Sequence, residues 1–175
     1  TDPLLYIEIK TKLEAQKQDR EDYLKRFIKP LNEELNASKL AVFDIQSRTK
    51  TVFSIAQKMR IQGIPFEEVY DLFAIRVILD SPLIQEKNDC WRVYAIISQQ
   101  YTSNQSRLRD WLSKPKSNGY EALHTTIIGP DNKYIEVQLR SKRMDDVAER
   151  GVAAHWRYKS KEGEAKPNAQ DMAFD

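Results

Sequence analysis

Two stretches of this chain carry the residue types that do nucleotide and phosphate chemistry. Lys114-Pro-Lys-Ser-Asn-Gly-Tyr-Glu-Ala-Leu-His124 is a basic loop. It presents a cation (Lys116), an amide (Asn118), an aromatic ring (Tyr120) and an imidazole (His124). A short turn later, Tyr134-Ile-Glu-Val-Gln-Leu-Arg140 reads as a strand. Successive strand side chains point to opposite sides, so Glu136, Gln138 and Arg140 share one face while Ile135, Val137 and Leu139 bury the other. An acid, an amide and a cation in a row beside a lysine-rich loop is costly to build for stability alone. The combination points to a nucleotide site.

Further candidates lie upstream. Lys50, Ser54 and Lys58 are spaced four apart, which would place them along one helical face, and Arg48 stands where a strand hands over to that helix. Together they form either a polyphosphate grip near a helix N-terminus or an ordinary solvated face. Asp71 stands just before the strand Phe73-Ala-Ile-Arg-Val-Ile-Leu79. An acid at the mouth of a buried strand suits Mg²⁺, which takes oxygen ligands and bridging phosphates; it equally suits a helix cap. Arg76, inside that strand, needs an anionic partner if buried. Glu136 is the natural second acid, and two carboxylates among several cations would make a metal-assisted phosphoryl-transfer centre. Tyr120, next to Gly119, has a ring free to stack on a base, although packing is the commoner fate of such a tyrosine. His124 alone reads more simply as a hydrogen-bonded structural histidine.

The elements that must position these groups follow from periodicity. Residues 4–38 read as helix, with Leu24, Phe27, Ile28, Leu31 and Leu35 at helical spacing, and Pro30 is expected to kink or split it. Leu40 to Gln46 alternates as a strand with Ala41, Phe43 and Ile45 facing one way. A helix spans about Thr49 to Gln62, ended by Gly63, and Phe66 to Leu72 forms a short helical turn. Phe73 to Asp80 is the clearest strand. A helix from about Asn88 to Tyr101 turns Trp91, Tyr94, Ile97 and Tyr101 inward. After the basic loop over 102–118, strands at Glu121–Gly129 and Lys133–Arg140 are joined by Gly-Pro-Asp-Asn, a hairpin turn. A last helix runs from about Lys142 to Lys159. The expected fold is α/β (α+β): a mixed sheet of about five strands flanked by helices. The expected organisation is a helical segment over 1–38, a catalytic domain over 39–160 and a disordered tail over 161–175.

Composition prunes the function classes. A chain of 175 residues with 41% apolar and 31% charged residues fits a soluble globular domain. It shows no signal-peptide pattern and no run able to span a bilayer, and its lone cysteine, Cys90, reads as a buried structural thiol. The cytoplasm is the expected setting. A net charge of +2 is too small for a protein that coats nucleic acid. Two histidines and one cysteine leave little room for a zinc site of several His or Cys ligands. Five glycines, in neither a P-loop nor a Rossmann pattern, leave phosphates to be held by side chains. The absence of an initiator Met suggests a piece of a longer chain.

The motifs Arg48-Thr-Lys50-x-x-x-Ser54, Asp71-Leu-Phe-Ala-Ile-Arg76, Asn118-Gly-Tyr-x-x-Leu-His124-Thr, Ile135-Glu-Val-Gln-Leu-Arg140 and Val147-Ala-Glu-x-Gly-Val-Ala-Ala-His-Trp156 occur in that order. The set closely resembles the synthetase domain of the RelA/SpoT family, the bacterial (p)ppGpp alarmone synthetases, and covers the chain from its first helix to Tyr158. The resemblance implies a nucleotidyltransferase-like fold and transfer of the β,γ-diphosphate of ATP to the 3′-hydroxyl of GDP or GTP, releasing AMP. It implies that Arg48, Lys50, Ser54, Lys58 and Arg92 hold ATP, and that Asp71 and Glu136 bind Mg²⁺ with Glu136 also serving as base. It implies further that Tyr120 stacks on guanine while Arg109, Lys116, Asn118, His124 and Gln138 fix the guanosine nucleotide. Hydrolase and C-terminal regulatory domains, and coupling to the ribosome through them, are expected of the full-length protein. The chain has no His-Asp motif of the hydrolase domain.

Ala122 departs from the serine common in the Tyr-x-Ser-Leu-His motif, which removes one hydroxyl near the guanosine site. Competing readings are a catalytically silent module that binds guanine nucleotides and an RNA-binding domain. Retention of both Asp71 and Glu136 argues against the first, and a basic loop with little beyond Tyr120 to stack on bases argues against the second. Arg107-Leu-Arg109-Asp110 resembles the basic variant of bifunctional synthetase–hydrolases. Replacing Arg107 and Arg109 by Glu and Asp is predicted to change both the rate and the Mg²⁺ optimum of synthesis, since acids there add metal affinity and remove phosphate neutralisation. A Mg²⁺ titration of wild type and double mutant checks this; superimposable profiles would leave the loop without a catalytic role.

Overall fold

One strand, β2 (Phe73–Leu79), is buried on both faces from Ala74 onward, and the sheet grows from it to either side. A computed structural model describes residues 2–69 and 72–161, the side chains of 152–161 excepted. β2 pairs antiparallel with β1 (Val42–Thr49) and parallel with β6 (Tyr134–Ser141). β6 pairs antiparallel with β5 (Leu123–Ile128), whose far edge takes two short strands, β3 (Thr102–Ser103) and β4 (Arg109–Asp110). Parallel pairing requires a crossover, which helix α4 (Glu86–Gln100) begins. Among the described residues the mixed sheet thus has six strands, along the path β1-β2-β6-β5-β3 with β4 pairing β5 off that path.

The apolar face of the sheet carries Ile75, Val77 and Leu79 from β2 with Ile135, Val137 and Leu139 from β6. Helix α2 (Lys17–Ala37) covers it with Tyr23, Leu24, Phe27, Leu31 and Leu35, and α4 adds Cys90, Val93 and Ile97. On α4 the inward stripe is Cys90-Val93-Ile97 rather than the expected aromatic residues. Trp91 and Tyr94 are half-buried at its flank in an edge-to-face pair, because rings of that size reach the core from the side. Cys90 is fully buried, and loss of solvent, followed by the charges of Glu86 and Asp89, pushes its thiol up to about 12. That is the inert thiol expected from sequence.

The N-terminal helix breaks, but not at Pro30. Helix α1 (Pro3–Ala15) ends at Gln16 and α2 begins at Lys17. The break separates two packing duties. Ile9 and Leu13 of α1 pack with Ile55 and Ala56 of α3 (Val52–Gln62) and with Phe66 and Val69, whereas α2 lies on the sheet. Pro30 is tolerated inside α2 because it sits on the exposed side with Arg26, whose carbonyl loses its helical donor and can face water. Strand β1 also departs from simple alternation. A bulge between Val42 and Asp44 turns Phe43 out to 57% exposure, where Lys142 covers its ring, while Val42 and Ile45 face the core. Helix α3 starts later than expected, with Thr51 as its cap and Gly63 in the left-handed conformation at its end. Helix α5 (Lys142–Lys161) follows β6 directly. Past Lys161, the tail expected over 161–175 lies outside the described residues. Among the described residues, no helix is long and apolar enough to cross a membrane.

The β5–β6 hairpin closes through Pro130–Asn132, with Asp131 and Asn132 at φ 59° and 57°, a conformation these two residue types tolerate. Tyr23 of α2 donates to the Pro130 carbonyl at 2.6 Å and so ties the turn to the core. A Cβ on Gly129 would lie 2.5 Å from Ile135 Cδ1 and 2.9 Å from the Tyr23 hydroxyl. Gly129→Ala is therefore predicted to destabilise the fold by about 1–3 kcal/mol through overpacking, read as a lower midpoint in urea unfolding with little change in slope.

Candidate active site

The opposite face of the sheet is polar, and strand register arranges it in rows. Arg48, Ala74, Glu136 and Thr126 lie side by side across β1, β2, β6 and β5; Gln46, Arg76, Gln138, His124 and Arg109 form the next row. The predicted alternation of β6 holds, but its polar face is not open to water. Gln138 is 1% exposed and Arg140 0%. The reason is that α5 and the Tyr120 loop lie over this end of the sheet: Ala148 of α5 packs with Tyr120 and Ala122.

Burying this face forces the arginines to find partners. The Gln138 side-chain oxygen accepts from Arg76 Nε at 3.2 Å and from Arg48 Nη1 at 3.4 Å. Asp145, in the first turn of α5, approaches Arg140 Nε at 3.2 Å and Arg76 Nη1 at 3.8 Å. The Arg140 contact is an ion pair whose angle misses a hydrogen bond, since Arg140 Nε and Asp145 Oδ1 both lack a hydrogen-bonding partner. Burial, then the charges of Arg140 and Arg48, pulls Arg76 below the usual arginine value, and Asp145 opposes that shift. Arg76 and Asp145 are the residues the sequence reading left out of the site. Arg76 stands two positions after Ala74 on β2 and so shares its face, whereas nothing local marks Asp145.

Two cavities open on Glu136. The smaller, of about 70 Å³, is lined by Arg48, Lys50, Ser54, Ala74 and Gln138 as well as Glu136. It exists because the methyl group of Ala74 is all that stands between Arg48 and Glu136 in their row. The larger, of about 390 Å³, has His124, Thr126 and Glu136 on its sheet side and Lys58, Arg107, Arg109, Trp111 and Lys116 around them. Lys50 Nζ lies 3.5 Å from Glu136 Oε2. The two linings together bring six cations to one carboxylate, Glu136, a field suited to polyphosphate.

The structure redistributes some expected groups. Lys50 precedes the helix cap and is not on α3, so Lys50, Ser54 and Lys58 do not share one helical face. Lys50 and Ser54 line the small cavity and Lys58 the large one. The Thr51 hydroxyl donates to Ser54 Oγ at 2.9 Å and accepts from the Ser54 amide, fixing the start of the helix. Arg92 is not part of the site. It lies on α4, across the sheet, where it donates to the Ser38 carbonyl at 2.8 Å and pairs with Asp89. Asp71 lies outside the described residues, two positions before β2 in the chain.

Tyr120 is also a correction. Its ring is 0% exposed, not free to stack on a base, and its hydroxyl is 2.7 Å from His124 Nε2. Lys116 and Arg140 stand 5.3 and 5.8 Å from the ring centre. The loop draws the ring inward through its own geometry. Gly119 adopts φ 86°, and the Asn118 side chain accepts from the Tyr120 amide at 3.2 Å. Arg109, on β4, donates to the Ser106 and Leu108 carbonyls and borders the large cavity.

A fit to magnesium rests on Glu136, a hard oxygen donor at the junction of the cavities. Among the described residues no cluster of three or more His, Cys, Asp or Glu is present to hold a metal.

Residues 47–163 match the model of the region found in RelA / SpoT proteins. A GTP pyrophosphokinase of Photobacterium angustum is 36% identical over 99% of this chain and 22% of its own length. A guanosine-3′,5′-bis(diphosphate) 3′-pyrophosphohydrolase of Spiroplasma citri is 38% identical over 93% of this chain and 21% of its own. The chain thus spans about a fifth of these relatives. The small alarmone synthetase 1 of Bacillus subtilis, solved with its product pppGpp, aligns with a TM-score of 0.60 at 19% identity over 88% of this chain and 94% of its own, which shows a shared fold.

Asp145 and Glu149 of α5 both face Arg76, but their side chains are 25% and 67% exposed. Removing the first takes an anion from two buried guanidinium groups, Arg76 and Arg140; removing the second leaves a solvated position. Asp145→Ala is predicted to destabilise by roughly 1–3 kcal/mol, discounted for partial exposure, and Glu149→Ala by less than about 0.5 kcal/mol. Urea unfolding of both variants measures the difference.

Proposed function

The chain belongs to the RelA/SpoT family, and on that premise we propose that it is an alarmone synthetase domain. It moves the β,γ-diphosphate of ATP to the 3′-hydroxyl of GDP or GTP and releases AMP. The observation that carries this reading is the sharing of Glu136 by two cation-lined cavities. A group transfer needs donor and acceptor on either side of one reacting centre, and a single carboxylate at that junction serves as base.

In this reading the large cavity receives the guanosine nucleotide, since about 390 Å³ falls within the size range of small-ligand pockets. Lys58, Arg107, Arg109 and Lys116 hold its phosphates, and His124, oriented by Tyr120, faces it. The small cavity has room for a phosphoryl group and not for a nucleoside. Arg48, Lys50 and Ser54 grip the donor's phosphates there while its adenosine lies outside. Gln138 keeps Arg48 and Arg76 aimed at this region. Asn118 shapes the acceptor loop rather than reading the base.

Glu136 accepts the proton of the 3′-hydroxyl, whose oxygen attacks the β-phosphorus. The bond from that phosphorus to the α,β-bridging oxygen breaks, and AMP leaves with the bond's electrons. Lys50 orients the carboxylate and neutralises charge on the transferred group. Glu136 and Asp71 would hold Mg²⁺, which would supply positive charge to offset that developing on the donor's phosphates. Because this chain spans about a fifth of its long relatives, hydrolysis and any coupling to the ribosome are assigned to other parts of a longer cytoplasmic protein. The basic Arg107-Leu-Arg109-Asp110 segment supports a bifunctional parent.

The test is incubation with labelled ATP, GDP or GTP, and Mg²⁺, followed by separation of products. AMP and a guanosine 3′-diphosphate are expected, and nucleotide binding without turnover would support a silent binding module instead. Glu136→Gln is predicted to lower the rate at least about 100-fold with an unchanged circular dichroism spectrum. A folded, active Glu136→Gln protein would refute its assignment as base.

A further inference from the structure

We infer that Thr126 recognises the acceptor's ribose through its 2′-hydroxyl, and so sets a preference for ribonucleotides. The inference rests on the proposed reading that the large cavity takes the guanosine nucleotide with its 3′-hydroxyl at Glu136.

Four residues surround Glu136 on its face of the sheet, and three of them are committed or unsuitable. Ala74, on the donor side, has no polar atom. Gln138 spends its side-chain oxygen on Arg48 and Arg76. Tyr134, two positions back along β6, is not among the residues that line the large cavity. Thr126 is the residue directly opposite Glu136 on β5, and it borders the large cavity beside it. Residues directly opposite in an antiparallel pair have Cβ atoms about 4.5–5.5 Å apart. The Thr126 hydroxyl has no hydrogen-bond partner among the described residues, although the residue is only 4% exposed.

A hydroxyl at that depth on a cavity wall has lost most of its water and gains a partner when the cavity fills. His124, next along the same face of β5, is already engaged by Tyr120. With the 3′-hydroxyl at the Glu136 carboxylate, the vicinal 2′-hydroxyl lies on the neighbouring ribose carbon, inside the cavity that Thr126 borders. A site built to bond a substrate hydroxyl rejects the analogue that lacks it, because its own polar group is then left unpaired.

The experiment compares GDP with 2′-deoxy-GDP, both by calorimetric binding and as acceptors with ATP and Mg²⁺. Wild type, Thr126→Val and Thr126→Ser are measured, with folding checked by circular dichroism; Thr126→Ala replaces the valine variant if that fails to fold. Wild type is expected to favour GDP by roughly 10-fold or more, and Thr126→Ser to keep that preference. Thr126→Val is expected to lose most of it by weakening GDP while leaving 2′-deoxy-GDP unchanged. A valine variant that retains the wild-type preference, or weakens both nucleotides equally, overturns the inference. If wild type binds GDP yet forms no AMP, the transfer reading fails, and the binding ratios still decide the role of Thr126.

Discussion

Compensating the buried guanidinium charge on one face of the central sheet is the constraint on which the rest of this structure depends. Arg76 and Arg140 are 7% and 0% exposed, and Arg48 shares a hydrogen-bonding partner with Arg76. Removing such ions from water costs several kcal/mol each. Two devices offset it. Gln138 offers one neutral oxygen to two arginines, and Asp145 brings the negative charge from α5. The compensation is incomplete, since Arg140 retains two nitrogens without hydrogen bonds. A face built this way stays positive.

That constraint explains the placement of α5 and of the Tyr120 loop. Helix α5 begins where β6 ends, so its first turn falls over Arg140, and Ala148 packs on Tyr120 one turn later. Arg143 then bridges Glu86 on α4 to Glu121 beside Tyr120, at 2.9 and 3.1 Å. The loop carrying Lys116, Asn118 and Tyr120 is thereby fastened to elements on both sides of the sheet. Its inward tyrosine orients His124 rather than offering a stacking surface.

The two cavities are consequences of register. Ala74 between Arg48 and Glu136 leaves the small gap, and the short strands β3 and β4 hold the basic segment against the edge of β5 to wall the large one. Glu136 belongs to both because the central strand β6 borders β2 on one side and β5 on the other. A carboxylate on an edge strand would face only one partner.

Much of this was legible in the residues themselves. Period-two alternation in Ile135-Glu-Val-Gln-Leu-Arg140 fixes which side chains share a face, and Gly-Pro-Asp-Asn fixes the hairpin that brings His124 beside Gln138. Local pattern also located Gly63 as a helix end and Cys90 as a buried thiol. It failed where a distant partner decides the outcome. Pro30 carries the same local penalty wherever it stands in a helix, but the break falls at Gln16 because α1 and α2 pack on different cores. Arg92 and Arg76 are both arginines in amphipathic elements, and only the tertiary structure puts one across the sheet and the other beneath Gln138. Tyr120 reads as a loop tyrosine until α5 closes over it. Sequence periodicity determines the face a side chain takes on its own element; which element comes to cover that face depends on long-range packing that no local window contains.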